Sequence, residues 1–277
     1  MNKKTRLECL HYMQKEKAQC GVLCAFELWL KQVVFQRFEL PYLEFFITTR
    51  CNLKCKKCSN LIPAINPHTD ISPDDFKNTL DALLGKIDCL YRLKLHGGEV
   101  LLHPHLDEII EYANRQKKIK SIRIATNGTI IPSERILKSL ENSKVVVQIS
   151  DYKLPEAKIE QLKSILEGAS VKYAFLENQK WRDMGDFAKR ETSRYSECSI
   201  KRCTSLFQGK IYLCSKAAMM KHLFQTGCQR EGICVFADTK TFRAQMKTLY
   251  EGKMSDACFF CDGDTHFAKE IEAGEQQ

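Results

Sequence analysis

Between residues 42 and 176 the chain alternates five times between short apolar runs and amphipathic segments. The runs 42–48, 90–96, 121–126, 144–150 and 171–176 have the length and residue types of strands. Segments 73–84, 104–116, 132–140 and 155–166 carry apolar residues at helical spacing. Ser72 supplies an N-cap, Pro73 the first helical position, and Asp74 and Asp75 the first turn, while Gly85 ends that helix. Strands joined by helices cannot pair as hairpins, so they form βαβ units and a parallel sheet. Right-handed crossovers curl such a sheet into a full or partial barrel, or leave it open and doubly wound. No convincing sixth strand stands out. In either architecture the loops after the strands gather at one face, where ligands bind. The loops reaching that face are the one around Cys51, then Gly97-Gly98-Glu99, Asn127-Gly128 and Ser150-Asp151.

The flanks read differently. Residues 1–40 read as a helical segment ending near Pro41, with Leu23, Phe26, Leu30, Val33 and Val34 on one face. The barrel core is expected over 41–180, a cysteine-rich domain over 181–268, and a polar, frayed tail over 269–277. Within the second domain, 209–214 resembles part of a hairpin and 239–250 a helix.

Charge and thiol content narrow the function classes. The net charge of +9 is scattered, with no stripe of cations and interleaved aromatics, so no nucleic-acid partner is expected. The apolar stretch 20–38 is broken by Glu27, Lys31 and Arg37, and no run approaches the ~20 apolar residues of a spanning helix. Residues 1–17 lack the apolar run of an export signal, which predicts a cytoplasmic location. Fourteen cysteines in a reducing compartment point to metal or redox chemistry rather than to disulfides.

Three of those cysteines, Cys51, Cys55 and Cys58, follow the first strand as C-x3-C-x2-C. Thiolates so spaced on a tight loop can reach three corners of a four-iron cubane and leave one iron without a protein ligand. An open metal position serves catalysis rather than structure. A zinc site completed by His68 is the competing reading of the same residues.

The loop resembles the signature of radical S-adenosylmethionine enzymes, and further motifs follow in the family's order. Gly97-Gly98-Glu99 is similar to its GGE motif, which meets the methionine amino group. Thr126-Asn127-Gly128 resembles its third-strand ending. Ser150 and Asp151 fall where members contact ribose or methionine, although a capped strand end explains them equally. The resemblance implies an α/β fold with a partial (β/α)6 TIM-like barrel. It implies a [4Fe-4S] cluster whose open iron is chelated by S-adenosylmethionine, whose reductive cleavage gives a 5′-deoxyadenosyl radical. One departure is Lys57, since the residue before the third cysteine is usually aromatic.

Cys198, Cys214, Cys258 and Cys261 resemble the ligand set of the C-terminal SPASM extension in its shortened twitch form, with Cys203 as an alternative to Cys198. That form holds one closed auxiliary [4Fe-4S] cluster, so two clusters are expected in all. A zinc ribbon built from four of these thiols is the alternative. Cys9, Cys20, Cys24, Cys89, Cys228 and Cys234 fit neither set and read as small buried apolar residues. His103 and His105 flank Pro104 and read as fixing the GGE loop and capping the following helix.

By the resemblance, the chain is an oxidoreductase or isomerase acting on a small hydroxylated, sugar-like molecule, supplied with electrons by a flavodoxin or ferredoxin. The alternative is crosslinking, epimerisation or oxidation of a peptide or protein. A non-catalytic zinc-binding module accounts for the cysteines but not for the GGE motif.

Overall fold

The computed structural model describes residues 37–277 except 151, 153–154, 177–179, 186–187, 202, 225–231 and 253. The helix expected over 1–40 and the residues Cys9, Cys20, Cys24, Cys228 and Asp151 lie outside the described residues. The chain runs β1 (Glu39–Thr48), α1 (Pro73–Leu84), β2 (Cys89–Gly97), α2 (Leu106–Arg115), β3 (Ile119–Thr126), α3 (Glu134–Leu140), β4 (Val145–Ser150), α4 (Glu156–Gly168), β5 (Tyr173–Leu176) and β6 (Lys180–Arg182). It continues through β7 (Ser205–Phe207), β8 (Lys210–Tyr212), α5 (Ser215–Phe224), β9 (Ile233–Cys234), α6 (Thr239–Tyr250) and β10 (Glu270–Glu272).

The main sheet has the order β5-β4-β3-β2-β1-β7-β8-β9. Strands β1 to β5 are parallel, as the helical crossovers require. The sixth strand of the main sheet, which the sequence did not reveal, is β7. It pairs parallel to β1 on the side away from β2, with Glu44 opposite Ser205, and then turns antiparallel into β8 and β9. The edges β5 and β9 do not meet, so the barrel is partial and open. β1 lies between two neighbours and is buried over nine of its ten residues.

Alternation along the strands divides two environments. Leu43, Phe45 and Ile47 of β1 and Leu93 and Leu95 of β2 join the main core with Phe76, Leu80 and Leu83 of α1. Phe45 stacks on Phe76 with ring centres 4.9 Å apart. The opposite face of the same strands is polar. Glu44 and Lys94 pair there at 3.1 Å, and the Glu44 carboxylate also accepts from Tyr42 (2.7 Å) and Ser205 (2.9 Å). A second apolar cluster joins Phe46, Leu61, Ile62 and Ile65 to Phe207, Tyr212 and the Ala217–Met220 stretch of α5, with Cys51, Cys58 and Cys214 packed against it.

Helix starts follow the capping residues. Ser72 Oγ accepts from the Asp75 amide at 3.1 Å, and Asp238 Oδ1 from Thr241 at 2.9 Å. Residues 269–277 are not frayed: β10 pairs antiparallel with β6, and the chain continues onto the cysteine loop. Among the described residues no helix is long and apolar enough to cross a membrane.

Candidate active site

The chain leaves β1 through a turn locked by polar side chains. Thr48 Oγ1 donates to Asp70 at 2.6 Å and accepts from the Arg50 amide at 3.0 Å, while Arg50 Nε holds the other Asp70 oxygen at 2.6 Å. The next residues carry Cys51, Cys55 and Cys58. The Cys58 amide donates to Cys55 O and the Leu61 amide to Cys58 O, so the loop folds back on itself. Burial pushes all three thiols up, and at Cys51 burial together with the nearby Glu99, Cys58 and Cys55 charges outweighs the Leu53 amide and lifts the thiol to about 11. Thiols that oppose one another's ionisation in this way are poor as free thiolates and suited to a shared cationic centre.

The exit of β2 lies directly on this loop. A Cβ on Gly98 would fall 2.0 Å from Arg50 O and 3.0 Å from Cys51 Cβ, so no side chain fits where the two loops meet. The Gly98 amide donates to Thr48 O and the Glu99 amide to Arg50 O, which sews the motif to the cysteine loop. Gly97 makes the same close approach to Thr48 O.

Glu99 is fully buried. Its Oε1 accepts from the Leu101 amide (3.0 Å) and Thr126 Oγ1 (2.8 Å), and its Oε2 from the Asn127 amide (2.7 Å). Burial raises its pKa, and those three bonds oppose the rise. The carboxylate therefore fixes the end of β3 against the end of β2. Asn127 extends the chain of contacts: its Nδ2 donates to Asn52 Oδ1 at 3.0 Å and lies 4.0 Å from Cys51 Sγ. Ser150, at the end of β4, shares a hydrogen bond with the Tyr152 phenol. Tyr152 was not picked out from the sequence. Its ring meets Trp181 edge-on at 5.4 Å, and its pKa is raised by burial and by the charges of Cys55, Cys58 and Cys51. It therefore faces the same three thiols, from a loop that the sequence had marked only at Ser150 and Asp151.

The histidines beside this loop act structurally. His103 Nε2 lies 3.0 Å from Ile71 O, and its Nδ1 accepts from the His105 amide at 3.1 Å. His105 stands at the start of α2 without capping it; its ring pairs with Glu108 at 2.8 Å. Lys57, where an aromatic was expected, forms an ion pair with Asp183 at 3.1 Å.

Cys198, Cys214, Cys258 and Cys261 line one small cavity, and Cys203 is not part of that lining. Cys214 immediately precedes α5, where the Ala217 amide points at its sulfur (3.4 Å); the Gly263 amide does the same for Cys261 (3.3 Å). Burial raises the Cys214 thiol strongly, and the charges of Cys258, Cys261 and Cys198 add to the rise. Lys216 is 3% exposed between them, donating to Met184 O (3.3 Å) and reaching Cys261. It also lines the larger cavity beside Cys55 and Cys58. The sequence carried no signal for Lys216. Among the described residues no three His, Cys, Asp or Glu side chains close in on a single ion.

Residues 45–150 match the family model of the Radical SAM superfamily. The antilisterial bacteriocin subtilosin biosynthesis protein AlbA of Bacillus subtilis is 35% identical over 117 residues, 41% of this chain and 25% of AlbA. A GTP 3′,8-cyclase of Clostridium perfringens is 28% identical over 132 residues, 46% of this chain and 39% of the cyclase. The matches thus span a quarter to two fifths of these relatives. Among solved structures, BtrN in complex with AdoMet and 2-DOIA aligns with a TM-score of 0.51 at 16% identity, over 84% of this chain and 98% of BtrN. The peptide-bound anSMEcpe aligns with a TM-score of 0.52 at 14% identity, over 86% of this chain and 93% of that one. Likeness at these identities carries the fold alone.

Proposed function

We propose, from the match of residues 45–150 to the Radical SAM superfamily, that this chain is a radical SAM enzyme in which Cys51, Cys55 and Cys58 hold the [4Fe-4S] cluster that the family uses with S-adenosylmethionine. The supporting observation is convergence. Three mutually opposed thiols, the Gly98 contact with Cys51 and the Asn127 side chain all meet at one end of the parallel sheet. When bound, the cluster and S-adenosylmethionine supply a 5′-deoxyadenosyl radical for hydrogen abstraction.

Gly97, Gly98, Glu99, Asn127, Ser150 and Asp151 are the residues we assign to S-adenosylmethionine. Gly97 and Gly98 let the exit of β2 close onto the backbone of Thr48 and Arg50, which sets their own backbone beside the cysteine loop where the methionyl part would bind. Glu99, held by donors on β3, presents carboxylate electron density toward an ammonium. Cys198, Cys214, Cys258 and Cys261 are assigned to a second, closed cluster, because these four share one cavity with a buried lysine. A closed cluster of this kind accepts or relays an electron without binding substrate. A reductant of the flavodoxin or ferredoxin class would supply the first site.

For substrate, the reading is a small hydroxylated, sugar-like molecule. Its support is the row of polar side chains on the inner face of the sheet, where Glu44, Lys94 and Arg123 stand opposite one another across β1, β2 and β3, with His96 and Gln148 on the same face. Hydroxyl groups find both donors and acceptors on such a wall. A second reading, modification of a peptide, is favoured by the likeness to AlbA, a bacteriocin biosynthesis protein.

The test is anaerobic reconstitution of wild type beside a Cys51→Ala/Cys55→Ala/Cys58→Ala variant. About eight irons per wild-type chain and about four in the variant are expected for two four-iron clusters. Formation of 5′-deoxyadenosine from S-adenosylmethionine and reductant is expected in wild type alone. Zinc in place of iron sinks the reading. Modified peptide as the sole product, with small polyols untouched, replaces the first substrate class by the second.

A further inference from the structure

Residues 270–277 return across the cysteine loop and close against it. β10 is anchored on β6, with Ile271 opposite Trp181 and ion pairs Lys180–Glu272 (2.6 Å) and Arg182–Glu270 (2.9 Å). The chain then passes over Tyr152 at Gly274. There φ is +72°, and a Cβ would fall 2.5 Å from Tyr152 Cβ, so only glycine fits. Beyond it the backbone pairs with the loop itself. The Lys56 amide donates to Glu275 O and the Gln277 amide to Lys54 O, each at 2.8 Å, placing Gln276 opposite Cys55. Lys56 and Glu275 add an ion pair at 2.5 Å.

The Gln276 side chain is fixed in orientation by its partners. Its Oε1 accepts from the Lys54 amide at 2.7 Å, which only the oxygen end can do. The amide nitrogen must then face the other way. It donates to Cys55 Sγ at 3.4 Å and to Gly274 O at 2.5 Å. Cys55 is 7% exposed beneath it.

We propose that residues 274–277 form a positioning strap for the cysteine loop, in which Gln276 sets the hydrogen bonding of the Cys55 sulfur and, through it, the reduction potential of the cluster. The inference rests on the assignment of Cys51, Cys55 and Cys58 as cluster ligands. A donor to a ligating sulfur stabilises the reduced, more negative cluster and raises its potential, and shielding the sulfur from water changes it further. Gln276 is thus a residue outside the C-x3-C-x2-C loop that tunes how readily the cluster takes an electron.

The experiment is an anaerobic redox titration of the reconstituted full chain, followed by electron paramagnetic resonance. The signal that changes on adding S-adenosylmethionine marks the open-iron cluster. Wild type is compared with Gln276→Leu, Gln276→Glu and Gln276→Asn. The expected midpoint order is wild type highest, Leu and Asn lower, and Glu lowest, because the carboxylate puts negative charge where the amide donated. A role in packing alone predicts another order, since Glu keeps the acceptor for Lys54 and would lie nearer wild type than Leu. Equal midpoints in all four proteins, or Glu above Leu, overturn the proposal. If Gln276→Leu fails to retain iron, the Asn variant, which keeps a polar amide but withdraws it from Cys55, carries the comparison. Wild type without any signal responsive to S-adenosylmethionine overturns the cluster assignment itself, a result distinct from unchanged midpoints in a loaded protein.

Discussion

The Glu99 carboxylate accepts a 2.7 Å hydrogen bond from the Asn127 amide, so the end of β2 and the end of β3 are held by one buried side chain. All three of its partners, the Leu101 and Asn127 amides and the Thr126 hydroxyl, act as donors. Glu99→Gln turns an amide NH2 toward donors. The expected outcome is a loss of about 1–3 kcal/mol in stability of the iron-free chain, read by denaturant unfolding. A drop in S-adenosylmethionine affinity of roughly tenfold or more is expected in the loaded chain, read by equilibrium dialysis, since about 1.4 kcal/mol is one decade. Unchanged affinity with reduced stability would restrict Glu99 to a structural role.

A buried glutamate and a half-buried histidine on the polar face of the sheet give stability a pH dependence. Burial opposes ionisation of Glu44, but Lys94, His96 and Tyr42 outweigh it and lower its pKa from 4.5 to about 2. Burial and the Lys94 charge lower His96 from 6.5 to about 4, against the pull of Glu44. Both folded values lie below the unfolded ones, so the unfolded chain binds more protons and stability falls as pH falls. The loss begins near pH 6.5 through His96, and Glu44 adds to it below pH 4.5 toward pH 2. Chemical denaturation at stepped pH measures both windows. His96→Asn is expected to remove the upper one and narrow the lower, because Lys94 and Tyr42 still lower Glu44 but the His96 contribution is gone.

Lys216 is predicted to have opposite effects on the two states of the second site. In the iron-free chain its charge is buried beside neutral thiols, and burial lowers its pKa. Lys216→Met should leave that state unchanged or stabilise it by about 1–2 kcal/mol. With the thiols ionised around iron, the same cation offsets negative charge, so the variant should lose iron faster to a chelator. Equal rates of iron loss would show that Lys216 does not sense the thiolates.

Cys198 and Cys203 separate by counting. Cys198 lines the cavity with Cys214, Cys258 and Cys261, and Cys203 does not. Cys198→Ser is expected to lose about four irons and Cys203→Ser none, for one four-iron site. The reverse result exchanges the two assignments.

The parts of the fold read correctly from the sequence are those fixed by local chemistry. Ser72, Pro73 and the paired aspartates set the start of α1, and apolar periodicity set β1 to β5. β7 escaped because three residues of ladder carry almost no periodic signal, and its partner β1 is more than a hundred and fifty residues away (Ser205 with Glu44). The site divides in the same way. Cysteines and glycines announce themselves by residue type and spacing. Tyr152, Lys216 and Gln276 reach the thiols only through tertiary packing, and a glutamine in a polar segment looks like any solvated residue. The frayed ending expected over 269–277 failed for that reason, since its order comes from backbone pairing with β6 and with the cysteine loop rather than from its own composition.

The pairing of β7 with β1 has a mechanical corollary. The Glu44 amide donates to Thr204 O at 2.9 Å and Thr204 Oγ1 to Tyr42 O at 3.0 Å, so the cysteine-rich half contributes a rung to the same frame that bears the first cysteine loop. Cutting the chain between the halves would strip β1 of one neighbour and expose a raw edge. The two thiol sets are therefore carried by one continuous ladder, like two stations on a single chassis, with β1 leading to the first and β7 to the second.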